Sequence, residues 1–298
     1  MSFIADTDLV GDIRPAVNFS DRPSGEKIDM LVLHYTGMKS GKAALDWLTC
    51  EESRVSCHYL VFEDGLTVQM VPESVKAWHA GISSWRGRDN CNTFSVGIEI
   101  VNPGHEFGYR AFPDAQITAV IALAADIVKR NAIPARNVVA HSDIAPDRKQ
   151  DPGELFPWKE LHESGVGHFV EPERISSGRF FQKGDEGPPI SALQVLLATY
   201  GYGLAETGNY DAETEIVVTA FQRHFRGERV DGIADQSTIA TLHRLLKFIA
   251  GRQVCPVAGS DVCLQKCCHG AAQRSPRLPI AFWIEMWLYD PPLKRETG

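Results

Sequence analysis

Residues 28–36, IDMLVLHYT, are almost wholly apolar for the length of one strand and turn polar at His34. Such a run suits a strand buried on both faces, and so a sheet with other layers packed on either side of it. It also leaves a histidine at the end of a buried strand. Three further segments fit the same architecture. Residues 58–71, HYLVFEDGLTVQMV, are two short apolar runs around Glu63-Asp64-Gly65, a hairpin signal. In FSVGIEIVN, Phe94, Val96, Ile98 and Ile100 alternate with Ser95, Gly97 and Glu99. Asp114 opens a helix with a stripe of Ile117, Val120, Ile121, Ala124 and Val128, closing before Pro134. Residues 137–140 then read as another strand. Alternating strands and helices predict an α/β fold, a mixed β-sheet flanked by helices.

A break follows Trp158. From His162 to Gly187 the chain is rich in Gly, Ser, Glu and Pro without a sustained apolar period, and residues 162–177 read as a linker. Beyond it, three helical patterns carry Leu193, Leu196, Leu197 and Tyr200; Val217, Ala220 and Phe221; and Ile239, Leu242, Leu246 and Ile249. Asp211 and Asp235 suit the N-caps of the last two. The expected organisation is an N-terminal extension over 1–24, an α/β domain over 25–161, the linker, a small all-α three-helix domain over 178–250, and a tail over 251–298 of unassigned fold.

The formal net charge of −8 argues against an open affinity for nucleic acid, which needs a basic footprint. No stretch approaches the roughly 18 apolar residues of a membrane span, so no transmembrane segment is expected. The first residues, MSFIADTDLVGDIRPAVNFSDR, lack a basic region followed by an apolar run and do not read as a secretory signal. By sequence the protein is expected in the cytoplasm, or in the periplasm or at the cell wall if exported by another route. Of the 7 cysteines, Cys50, Cys57 and Cys91 read as unreactive thiols. The odd total argues against a disulfide framework. The tail's C-x₇-C-x₃-C-C-H arrangement (Cys255, Cys263, Cys267, Cys268) lacks the spaced second pair of a structural zinc site.

His34 ends the first buried strand, His141 follows residues 138–140, and Asp151 comes shortly after in HSDIAPDRKQDPG. Two imidazoles and one carboxylate leave a fourth tetrahedral position open, the catalytic arrangement for zinc. Spacing alone leaves room for hydrogen-bonded structural histidines. The ordered motifs LVLHYTG, CHYLV, AWHAG, VGIEIVN and HSDIAPDRKQDPG add more. Over roughly residues 25–160 they resemble the zinc N-acetylmuramoyl-L-alanine amidases of the type-2 family, which include the anhydro-muropeptide recycling amidases.

That resemblance implies a peptidoglycan-recognition-protein-like fold and one catalytic Zn²⁺ held by His34, His141 and Asp151. It implies that Glu99 assists the water attacking the amide and that Lys149 faces the reacting carbonyl. Glu99 lies in an otherwise apolar segment, where an unpaired carboxylate is costly. Asp147 and Arg148 read as surface charges, and His58 and His105 as structural or exposed. Trp78, His79, Trp85 and Arg86 are expected to line a substrate groove, with aromatic faces for sugar and stem and an arginine for a stem carboxylate. Packing competes for both tryptophans.

The second domain resembles the three-helix peptidoglycan-binding module of wall hydrolases, on the LQ of its first helix, GNYDAET, AFQ and DGIAD. A second weak site would raise effective concentration on a polymer. Three functions follow: a monomeric hydrolase of polymeric or oligomeric peptidoglycan, a cytosolic recycling amidase for soluble 1,6-anhydro-muropeptides, and a non-catalytic peptidoglycan receptor. The intact set His34, His141, Asp151, Glu99 and Lys149 places the receptor last, and the binding module favours the first.

Overall fold

The computed structural model describes residues 3–252; the expectations for the cysteine tail lie outside the described residues. The central sheet has strands β1 (Asp12–Ile13), β2 (Met30–Tyr35), β3 (Tyr59–Val61), β4 (Thr67–Gln69), β5 (Ser95–Ile100) and β6 (Val138–Ala140). They lie in the order β1-β4-β3-β5-β2-β6. The β3–β4 hairpin is antiparallel, while β2 pairs in parallel with both β5 and β6. The apolar run at 28–36 is thus a strand flanked on both sides, with Met30 to Leu33 sealed from water.

One face of the sheet carries Leu31, Leu33, Val96, Ile98 and Ile100 against helix α2 (Asp114–Asn131). The buried stripe of α2 is Ile117, Val120, Leu123, Ala124 and Ile127, with Ile121 and Val128 at its margins. Gln116 is buried on the same side, and its amide donates to the carbonyls of Val61 (3.0 Å) and Val101 (2.9 Å). The helix thereby bridges the ends of two neighbouring strands, where the Val61 carbonyl also accepts from the Val101 amide. Helices α1 (Gly41–Thr49), α3 (His141–Ile144) and α4 (Trp158–Glu163), with a single turn at Gly104–Phe107, also belong to the α/β part.

Helices α5 (Pro188–Tyr200), α6 (Ala212–Phe225) and α7 (Gln236–Arg252) form the second unit. Asp211 accepts from the Thr214 amide and Asp235 from the Thr238 amide, both as N-caps. The unit is not purely helical: Phe180–Phe181 pairs antiparallel with Ala234–Asp235. Nor does it stand apart. Met30, Val32, Phe94 and Val139 from the other face of the sheet share one apolar core with Leu197, Tyr202 and Phe221. Residues 162–177, expected as a linker, are tied down over 166–173. Val166 and His168 are buried, and the Glu173 carbonyl accepts from Ser237 Oγ (2.5 Å).

Candidate metal centre and cleft

The alternation along β5 sends Ser95, Gly97 and Glu99 to the face opposite α2, where β2 sends His34. Glu99 lies directly beside His34 in the β2–β5 register. The turn from β6 into α3 delivers His141, and the loop after α3 folds back so that the Ser142 amide donates to the Asp151 carbonyl (3.0 Å). Three donor atoms then converge. His34 Nδ1 lies 2.9 Å from His141 Nδ1 and 3.1 Å from Asp151 Oδ2, and His141 Nδ1 lies 2.9 Å from Asp151 Oδ2. Among the described residues this is the one cluster of its kind, and all three residues are buried. Tetrahedral zinc with bonds of about 2.0–2.1 Å has ligand atoms about 3.3 Å apart, slightly wider than this triangle.

The outer contacts of the two imidazoles favour the same use. His141 Nε2 donates to the Ala80 carbonyl (3.1 Å), which can only accept, so Nδ1 presents a lone pair. His34 Nε2 lies 3.0 Å from His79 Nδ1, and His79 Nε2 lies 3.1 Å from Ser95 Oγ. Donation outward along that chain leaves His34 Nδ1 unprotonated towards the triangle. Burial first, and the neighbouring His141 second, lower the His34 pKa to about 4, favouring the neutral ligand form. Burial opposes the charge of Asp151, but a proton on either imidazole outweighs it and holds the carboxyl far below the usual carboxylate range.

Glu99 Oε2 is sealed from water and has no hydrogen-bond partner. Burial, with the charge of Asp151, raises the Glu99 pKa well above its ordinary value, and Lys149 partly opposes this. An orphaned carboxylate oxygen beside three convergent donors fits a bound cation and its water, and has no role in packing.

The centre opens into a cleft of about 440 Å³. Tyr35, Glu99, Lys149 and Asp151 line its polar end, and Trp47, Leu48, Val55 and Trp78 give an apolar wall. Trp78 therefore reaches the cleft, with Nε1 on Ser20 Oγ (3.2 Å). Trp47 was not foreseen; its signal is a tryptophan on the outer side of α1, still 47% exposed. His79 borders the cleft but spends both ring nitrogens on His34 and Ser95. Its ring occupies space that Gly97 leaves open, since a Cβ there would lie 2.7 Å from His79 Cγ. Arg148 is no free surface charge: its guanidinium folds onto the carbonyls of Ala80 and Ile82 beside the cleft. His58 is fully buried, accepting from the Gly97 amide, and His105 pairs with Glu154. Cys57 and Cys91 are buried free thiols, and Cys50 is a partly buried one.

Trp85 and Arg86 do not line this cleft. Ser84–Trp85 pairs with Arg88–Asp89 in a tight hairpin whose turn residues Arg86 and Gly87 take positive φ. The turn drives Trp85 inward, 1% exposed, between Tyr200 and Tyr202 of the helical unit. Arg86 donates its amide to the Gly201 carbonyl (2.7 Å) and its guanidinium to Asn137. For Trp85, packing wins over sugar binding.

Residues 24–154 match the N-acetylmuramoyl-L-alanine amidase family, and residues 186–242 match a peptidoglycan binding domain. The N-acetylmuramoyl-L-alanine amidase AmiD of Escherichia coli is 40% identical over 237 residues, covering 74% of this chain and 83% of that protein. The 1,6-anhydro-N-acetylmuramyl-L-alanine amidase AmpD of the same organism is 35% identical over 168 residues, 50% of this chain and 90% of that protein. The solved AmiD complex with anhydro-N-acetylmuramic acid-L-Ala-D-gamma-Glu-L-Lys superposes with a TM-score of 0.63 at 36% identity, covering 78% of this chain and 98% of that chain. AmpDh3 of Pseudomonas aeruginosa with anhydromuramic pentapeptide gives 0.66 at 35% identity, covering 76% and 94%. No described helix is long and apolar enough to cross a membrane. The chain belongs to the N-acetylmuramoyl-L-alanine amidase family and carries a C-terminal peptidoglycan-binding module.

Proposed function

We propose that this chain hydrolyses the amide between the lactyl group of N-acetylmuramic acid and the L-alanine of the stem peptide, with one zinc ion held by His34, His141 and Asp151. The observation that carries the reading is the convergence of three donor atoms beside the unbonded, water-sealed Oε2 of Glu99. Bound zinc would supply Lewis acidity at the scissile carbonyl and a more acidic water. Glu99, whose carboxyl is readily protonated where it lies, takes the proton of the attacking water and delivers it to the departing alanine nitrogen. Lys149 offers its cation to the carbonyl oxygen as negative charge grows there. Trp47 and Trp78 offer aromatic faces to sugar and stem.

AmiD and AmpDh3 were solved with short anhydromuramic peptides, which supports such fragments as substrates here. The peptidoglycan-binding module supports action on polymeric or oligomeric wall as well, and the complete donor set within one chain supports a monomer. Purified protein would be given intact sacculi and soluble 1,6-anhydro-muropeptide, with and without chelation, and the products read by mass spectrometry. Free stem peptides beginning at L-alanine, lost on chelation and in Glu99→Ala, are the expected result. The faster substrate separates wall hydrolysis from recycling. Zinc binding and sacculus binding without cleavage of either substrate would favour the receptor.

A further inference from the structure

We propose that the helical module holds the metal centre in shape, and that Arg223 and His224, consecutive residues at the end of α6, are positioning residues for the segments bearing Asp151 and His141. The inference rests on the metal assignment above.

His224 Nδ1 donates to Asp143 Oδ2 at 2.6 Å, and Tyr202 OH donates to Asp143 Oδ1 at 2.7 Å. Both oxygens of this carboxylate, which is sealed from water, are thus engaged by the module. Asp143 Oδ2 also accepts from the Ala140 amide (2.8 Å), which fixes the start of α3, and the first residue of α3 is His141. The His224 ring is itself held, stacked on Trp158 at 3.7 Å.

Arg223 serves the other ligand. Its Nη2 donates to Gln150 Oε1 (3.4 Å), one residue before Asp151, and its Nε lies 4.0 Å from the carboxylate of Glu154, three residues after it. Just beyond, Gly227 brings the module's backbone so close to the same turn that a Cβ would lie 2.6 Å from the Glu154 carbonyl. One helix end therefore touches the segments carrying two of the three ligands, and it touches no donor atom. Apolar packing such as Trp85 on Tyr200 would suffice to attach a module, and a buried polar pair is often no more stabilising than apolar side chains of similar volume. Directional bonds onto Asp143 instead fix the height and rotation of α3, on which the His141 lone pair depends. Ligand sets tolerate about 0.5 Å of misplacement.

The test uses the full chain without substrate. Zinc affinity would be measured by competition with a chromophoric chelator, the cobalt(II) form by its visible spectrum, and the metal-free protein by thermal unfolding. His224→Phe keeps the stacking and loses the donor; Tyr202→Phe removes the other donor. Both are expected to bind zinc about 10-fold more weakly and to shift the cobalt bands, an effect of the size outer contacts have on metal sites. Gln194→Ala, which breaks a buried network with Thr207 and Thr214 inside the module, is expected to lower the unfolding temperature and leave zinc affinity unchanged. Unchanged affinity in both His224→Phe and Tyr202→Phe, or equal loss in Gln194→Ala, overturns the proposal. Should His224→Phe not fold, Tyr202→Phe and Arg223→Met decide it. A wild-type chain that binds no zinc would instead sink the metal assignment itself.

Discussion

At the scale of single residues the site rests on a few atoms with no alternative use. Glu99→Gln keeps the shape of the side chain and removes its ability to accept a proton. Activity on muropeptide is expected to fall by about 10²–10⁴-fold, the usual worth of a positioned acid–base group, with metal content by mass spectrometry unchanged. Gly97 acts at one remove. A methyl group there meets both His79 Cγ (2.7 Å) and Cys57 Sγ (2.8 Å), so the His79 ring must leave its place behind His34. Gly97→Ala is expected to weaken zinc binding by about 10-fold or more in chelator competition, as loss of a ligand's outer partner does. If the metal still binds at the wild-type level, the His34–His79–Ser95 chain does not orient the ligand. The motif wording made His34, His141, Asp151 and Glu99 legible in the sequence. The work of Gly97 was not, because it depends on which ring a loop distant in sequence brings against it.

At the scale of elements, the sheet and α2 are joined by one buried carboxylate. Glu73, in the turn after β4, accepts from Tyr59 OH (2.7 Å) and takes both guanidinium branches of Arg130 (2.8 Å each) in the last turn of α2. Burial opposes its ionisation, but Arg130, Tyr59 and Asn131 outweigh that and hold its pKa below the ordinary value. A carboxyl so held stabilises the fold fully above its unfolded pKa of about 4.3, and the contribution is lost as pH falls through the lower folded value. Glu73→Gln is expected to cost about 1–3 kcal/mol at neutral pH in urea unfolding, through a buried partner left unsatisfied. It should also flatten the decline in stability below about pH 4, since the glutamine has no charge to lose. An equally steep acid decline in the variant would assign that decline to other groups. Five of the six sheet strands and α2 were legible because their periodicity is local, whereas β1 lies in the stretch 1–24 expected as an extension and pairs with β4 over only two residues. The Glu73 clamp was not, since Arg130 lies far along the chain.

At the scale of the molecule, two units that read as separate domains share one core, with Trp85 at the seam. Its side chain is sealed between Tyr200 and Tyr202, and Nε1 donates to the Arg136 carbonyl (3.3 Å). Trp85→Ala is expected to lower stability by about 3–5 kcal/mol, as truncation of a buried large aromatic does, and to split a single calorimetric transition into two. A single transition at the wild-type temperature would mean that the units do not depend on each other. Each unit was legible from its own motifs, and their contact was not. A tryptophan that binds a sugar and one that fills a seam look alike until the partner surface is known.

The close fit at that seam also bears on how such chains diversify. A Cβ at Gly201 would lie 2.7 Å from the Trp85 indole. A binding module recruited from another hydrolase would therefore need a glycine at this point of its first helix-to-loop turn, and a tyrosine beside it to meet Asp143. Recombination at the apparent boundary, convenient as it is for a genome or an engineer, would discard the pairing on which both halves rely. Productive exchange would carry the hairpin around Trp85 along with the module it was built to receive.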